Sequence, residues 1–121
     1  QFHHVFWFGD LNYRTVGEFS DIQTLWKSCQ KSGEWEKMWH TDQLRSEIAK
    51  NRVFYGFEEA PLNFGPTYRF DKKSNEFSNK NFQNPSWTDR ILTRSLPGLK
   101  MLTMAYYSAP NVFGSDHRPV S

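Results

Sequence analysis

The chain opens on a continuous apolar run, Val5-Phe6-Trp7-Phe8, that breaks sharply into Gly9-Asp10-Leu11-Asn12. A run apolar at every position, not at alternate ones, predicts a strand from Gln1 to Phe8 covered on both faces. The polar corner after it belongs at the rim of a sheet, where Gly9 permits a turn or a close backbone approach. From Ser20 to about Lys31 the pattern changes period: Ile22, Trp26 and Cys29 recur at spacings of four and three, with Leu25 beside them. That is an amphipathic helix capped by Ser20 and ended near Gly33. A second, shorter helix is expected from Asp42 to about Lys50, gripping the core through Leu44 and Ile48 and capped by Thr41 or Asp42. Trp35, Met38 and Trp39 bridge the two helices as core. Gly56, Pro61, Gly65 and Pro66 make 53–66 a loop, and 66–71 a short strand. The polar stretch 71–84, with Phe77 and Phe82 its only large apolar residues, reads as a surface loop that is mobile when unliganded. Two further strands are expected, a buried one over Trp87–Leu92 and another over Leu99–Tyr106 after the Pro97-Gly98 turn.

The exceptions to this pattern carry the chemistry. Asp89 and Arg90 interrupt an apolar strand, and charges inside such a strand cost several kcal/mol unless partnered. A histidine is the expected partner of Asp89, and His117 is the candidate. Asp10 and Asn12 lie two positions apart after the first strand, so both can face one cleft, one as an anion and potential base, the other as a neutral donor. Arg69 can neutralise a phosphate, and Tyr68 can stack on a ring while donating a hydrogen bond. Arg14 is read as one member of a simple ion pair. His3 and His4 are metal ligands by type, but a pair before a strand is more often surface or packing. Cys29, on the apolar stripe of its helix, reads as a packed thiol and not a nucleophile.

Composition narrows the class. The 121 residues suffice for one domain with a modest core. Eleven Phe and five Trp mean that this core is built from large rings. The mean hydropathy of −0.76 and 23% charged residues describe a polar surface. No apolar run approaches the ~20 residues needed to cross a bilayer, and no signal-peptide pattern is seen. A net charge of +2 does not call for nucleic acid. The mild basic cluster of Arg69, Lys72, Lys73 and Lys80 is either a solvated loop or a contact for anionic headgroups. A single cysteine excludes an internal disulfide and fits a reducing, intracellular setting.

The Gly-Asp-x-Asn corner, Pro66-Thr67-Tyr68-Arg69-Phe70-Asp71, Pro85-Ser86-Trp87-Thr88-Asp89-Arg90-Ile91-Leu92 and Ser115-Asp116-His117-Arg118-Pro119-Val120 together resemble the inositol polyphosphate 5-phosphatases of the endonuclease/exonuclease/phosphatase superfamily. The resemblance covers nearly the whole chain and corresponds to the C-terminal portion of a single catalytic domain. It implies an α/β (α+β) fold, part of a two-sheet β-sandwich flanked by helices, DNase I-like. It implies magnesium-dependent hydrolysis of the 5-phosphate of a phosphoinositide headgroup or soluble inositol phosphate, by a cytoplasmic protein peripheral at membranes. Carried over by motif, Asp10 orients or deprotonates water, Asn12 binds a scissile phosphate oxygen, and His117 donates to that phosphate while held by Asp89. Asp116 lies on the metal side, directly or through water. Tyr68, Arg69 and Arg90 resemble substrate-binding or site-organising residues. The family's principal metal-binding Glu and an accompanying Asn precede the Gly-Asp-x-Asn motif, where this chain has only Gln1 to Phe8. The basic residues that many members carry before Pro85 for a 4-phosphate are replaced by Asn81, Phe82, Gln83 and Asn84. The alternatives are a superfamily nuclease and a catalytically silent interaction module. As an isolated polypeptide, the 121 residues are expected to fold poorly and to hydrolyse no inositol phosphate.

Overall fold

The structure, a computed structural model, describes residues 2–121, so the expected first position of the opening strand, Gln1, lies outside them. The fold mixes helix and strand. Strand β1 (His4–Asp10) pairs antiparallel with β2 (Asp89–Ser95), and a helical layer lies between them in sequence: α1 (Phe19–Ser32), a 3-10 segment (Trp35–Thr41) and α2 (Gln43–Ala49). Helix α1 follows the predicted stripe, burying Ile22, Trp26 and Cys29. Its start differs from expectation. Glu18 occupies the cap without a side-chain hydrogen bond, and Ser20 lies inside the helix, where its carbonyl accepts from the Thr24 hydroxyl. Gly33 ends it as predicted, at φ 76°, its N–H reaching the Cys29 carbonyl at 2.7 Å. Asp42 caps α2, its Oδ2 accepting from Arg45 N at 3.0 Å.

The core sits on the helical side. Ile22, Trp26 and Cys29 meet Met38, Leu62, Phe64 and Trp87, and Trp35, Trp39, Phe77 and Tyr106 pack around them. Burial raises the pKa of the Cys29 thiol, which keeps it protonated, as a packed residue should be. Within the loop 71–84, Phe77 is the residue that enters the core, stacking on Phe70 at 4.2 Å and meeting Trp26 edge-on at 4.5 Å.

Three strand expectations are not met. The β1 run is exposed at every position, with Phe6, Trp7 and Phe8 54%, 52% and 71% accessible, so neither face is covered. Its apolar side chains have β2 along one edge and the Phe54 ring against Trp7, but no second layer. The segment 99–106 forms no strand, because its backbone enters no ladder; Leu102 and Met104 are exposed while Tyr106 turns inward. Residues 66–71 make isolated bridges, Tyr68 to both Ser86 and His117 and Phe70 to Phe77, instead of a continuous strand.

Candidate active site

The β1–β2 register places Asp10 directly opposite Asp89 at the end of the ladder. Like charges opposed in this way repel. The arrangement persists because Asp89 is heavily hydrogen-bonded: its Oδ2 accepts from Thr67 Oγ1 at 2.7 Å and Thr88 Oγ1 at 3.0 Å. His117 completes the set, its Nδ1 lying 2.9 Å from the same oxygen. The expected Asp89–His117 partnership is therefore present. A carboxylate accepting from Nδ1–H leaves Nε2 as the ring's outward atom. That Nε2 lies 3.9 Å from Asp10 Oδ2, and the side chains of His117 and Asp10 are 30% and 50% exposed.

Each residue is delivered by a local device. Gly9 adopts φ 127°, a conformation open to glycine, while a Cβ there would meet nothing within 4 Å; backbone shape, not close approach, requires it. Asp10 Oδ1 accepts from Asn12 N at 2.9 Å, closing a turn in which Asn12 takes the left-handed φ of 59°. Ser115 does the same for the histidine, its Oγ accepting from His117 N at 3.1 Å. The Tyr68 ring leans over the imidazole, centroids 4.6 Å apart, while its hydroxyl donates to Gln83 Oε1 at 2.9 Å.

Other predicted residues lie elsewhere. Arg90 does not face the cleft: its side chain is fully buried, and its Nε and both terminal nitrogens bond Asp42 and Glu59 at 2.7–2.9 Å. Burial works against its charge, but the bonds and charges of Glu59 and Asp42 outweigh that and hold its pKa above the ordinary arginine value. A substrate-binding role for Arg90 is thus corrected to a structural one. Asp116 is paired with Arg69, Nε to Oδ2 at 3.3 Å, and stands outside the Asp10–Asp89–His117 cluster. His4 bonds Ser95 Oγ at 2.8 Å as a surface residue of the sheet, in keeping with the packing reading.

Sequence reasoning passed over Thr67, Thr88 and Arg118. Both threonines sat inside quoted motifs, beside residues with louder chemistry. Arg118 is 1% exposed and, among the described residues, has no carboxylate partner; it bonds the carbonyls of Pro110, Ser115 and Ser74 and lies over the Phe70 ring at 4.1 Å. It clips the loop carrying His117 to the loop after Phe70.

The ligand atoms of Asp10, Asp89 and His117 converge within 4.8 Å. Magnesium prefers oxygens and binds through one or two carboxylates plus water and substrate. Asp89 Oδ2 accepts three hydrogen bonds and its Oδ1 lies 3.2 Å from His117 Nδ1, so among the described residues Asp10 Oδ2 is the carboxylate oxygen of the cluster left without a hydrogen-bond partner. Together the three residues could present one side of a hydrated divalent-cation shell.

The chain belongs to Endonuclease/Exonuclease/phosphatase family 2, which matches residues 1–121. Within that family it is similar to phosphoinositide phosphatases: 38% identical to mouse phosphatidylinositol polyphosphate 5-phosphatase type IV and 34% to human phosphatidylinositol 3,4,5-trisphosphate 5-phosphatase 1, each over 99% of this chain. It spans only 18% and 11% of those proteins. Among solved structures, the inositol polyphosphate 5-phosphatase domain of SPsynaptojanin, in complex with inositol (1,4)-bisphosphate and calcium, superimposes at a TM-score of 0.83 with 34% identity. The match covers 98% of this chain and 33% of that one. A ferrous NO complex of Cimex nitrophorin superimposes equally well, at 0.83 and 31% identity over 98% of this chain and 40% of that one. One scaffold thus carries unlike functions, and the site must discriminate between them.

Proposed function

We propose that the domain containing these residues is a magnesium-dependent phosphatase that removes the 5-phosphate of phosphoinositides or soluble inositol polyphosphates, on a DNase I-like two-sheet sandwich to which β1 and β2 contribute. The observation that carries the reading is the line Asp89–His117–Asp10, an imidazole fixed by a carboxylate on one nitrogen and facing a second carboxylate with the other. Asp10 takes a proton from the attacking water as the new P–O bond forms. The bond from phosphorus to the inositol 5-oxygen breaks, and that oxygen leaves as a hydroxyl with a proton from solvent. Asn12 holds one phosphoryl oxygen, and His117, as an imidazolium with Nδ1–H on Asp89, donates Nε2–H to another where charge develops. Magnesium, when bound, neutralises charge on the phosphoryl and leaving oxygens. Tyr68 and Arg69 line the substrate side. The exposed Lys72, Lys73 and Phe82 face an anionic membrane surface at the cytoplasmic side. The 121 residues alone are inactive in this reading, since Asp10, Asp89 and His117 by themselves make a weak cation site.

Positional analysis of products from the complete parent domain, acting on inositol 1,4,5-trisphosphate, tests the proposal. Loss of the 5-phosphate, abolished by EDTA, is expected; loss of another phosphate, or undiminished turnover in EDTA, overturns it. The second reading, a catalytically silent module on this scaffold, predicts no phosphate release at saturating magnesium.

A further inference from the structure

Arg14 forms no ion pair: among the described residues no carboxylate oxygen lies within 4.0 Å of it. Its side chain instead grips Asn12, with Nε and Nη2 donating to Asn12 Oδ1 at 3.0 and 2.6 Å and Nε also reaching the Asn12 carbonyl at 3.3 Å. A guanidinium can only donate, so the amide atom facing it must be the oxygen. The planar amide then turns both Nδ2 hydrogens away from Arg14, where they meet no protein partner. Arg14 is itself held at two ends. Its backbone exchanges hydrogen bonds with Gln43 at the start of α2, N to Oε1 at 3.2 Å and O from Gln43 N at 3.0 Å, and its guanidinium lies 4.8 Å from the centre of the Tyr68 ring.

We infer that Arg14 is a positioning residue for Asn12: its fork selects the one amide orientation that presents two N–H donors to a phosphate, and its unpaired charge strengthens them. The inference rests on the phosphatase reading above. The fork needs the planar guanidinium, because a lysine ammonium offers a point charge and cannot both bond the amide through two nitrogens and sit over the Tyr68 ring. In the complete parent domain, Arg14→Met is expected to lower kcat/KM for inositol 1,4,5-trisphosphate on the order of tenfold, and Arg14→Lys to recover little of it. Adding Arg14→Met to Asn12→Ala should change the rate by less than about twofold, since the group that Arg14 positions is already gone. Multiplying effects in that double variant, or full recovery by lysine, would overturn the inference. A merely structural role would move thermal stability without this non-additivity; should Arg14→Met fail to fold, the lysine variant carries the same cycle. A wild-type domain that releases no phosphate refutes the phosphatase reading. The cycle is then read on calorimetric affinity for inositol (1,4)-bisphosphate, where additive losses or no binding refute the role of Arg14.

Discussion

Asp89 and Arg90 are neighbours in β2, yet their side chains leave opposite faces of the strand and enter unlike surroundings. Arg90 meets two carboxylates and a carbonyl, so that all five of its N–H donors are used and its side chain is sealed from water. Asp89 meets two hydroxyls and an imidazole whose far nitrogen is still open to the cleft. Both clusters contain two acids and one basic group. What separates anchor from site is unused hydrogen-bonding capacity beside solvent, not composition.

That contrast predicts a separation of stability from activity. The largest effect falls on the closed cluster: Arg90→Met strands Asp42 and Glu59 in the interior and should destabilise the parent domain by about 3–5 kcal/mol. Urea unfolding measures it, and a loss below about 1 kcal/mol would break the comparison. The open cluster should behave oppositely. Asp10→Ala and His117→Ala are expected to lower kcat/KM by at least about 100-fold, or about 2.7 kcal/mol of transition-state stabilisation, with folding stability changed by less than about 1 kcal/mol. Asp10→Ala also removes the like-charge opposition to Asp89, so its unfolding midpoint should hold or rise. Near-normal turnover in either variant would mean that the open cluster is not the site.

The smallest effect tests the rim of the anchor. Tyr106 donates to Glu59 Oε2 at 2.8 Å and accepts from Ile91 N at 3.0 Å, and burial, then the charge of Glu59, raises its pKa above the ordinary 10. A folded-state pKa raised above the unfolded value gives stability that is complete below about pH 10 and lost as pH climbs toward the folded value. Wild-type stability should therefore fall above pH 10. Tyr106→Phe should cost about 1 kcal/mol at neutral pH and show a shallower alkaline decline, and equal alkaline slopes in the two proteins would refute the linkage.

Local pattern carried a good deal of this. The Ile22–Trp26–Cys29 stripe, the Asp42 cap and the Gly33 stop were legible because a helix encodes its buried face and its ends within a few residues. The need of Asp89 for a partner was also legible, since a buried charge demands one wherever the chain finds it. Hydrophobicity misled at Leu99–Tyr106 and at Val5–Phe8. A strand exists only when another backbone completes its ladder, and a ring is buried only when another layer covers it, and neither condition is written in the segment itself.

The sequence by itself determined the helices, the aromatic core, the four motifs and the charges that had to be partnered. Tertiary structure alone decided which partners they found. It gave Arg90 to Asp42 and Glu59 and Asp116 to Arg69, and it brought Thr67 to Asp89. The physical reason is valence at a distance. A side chain declares how many hydrogen bonds it needs, but only the strand register and the loop bridges settle which groups, tens of residues away, arrive close enough to make them.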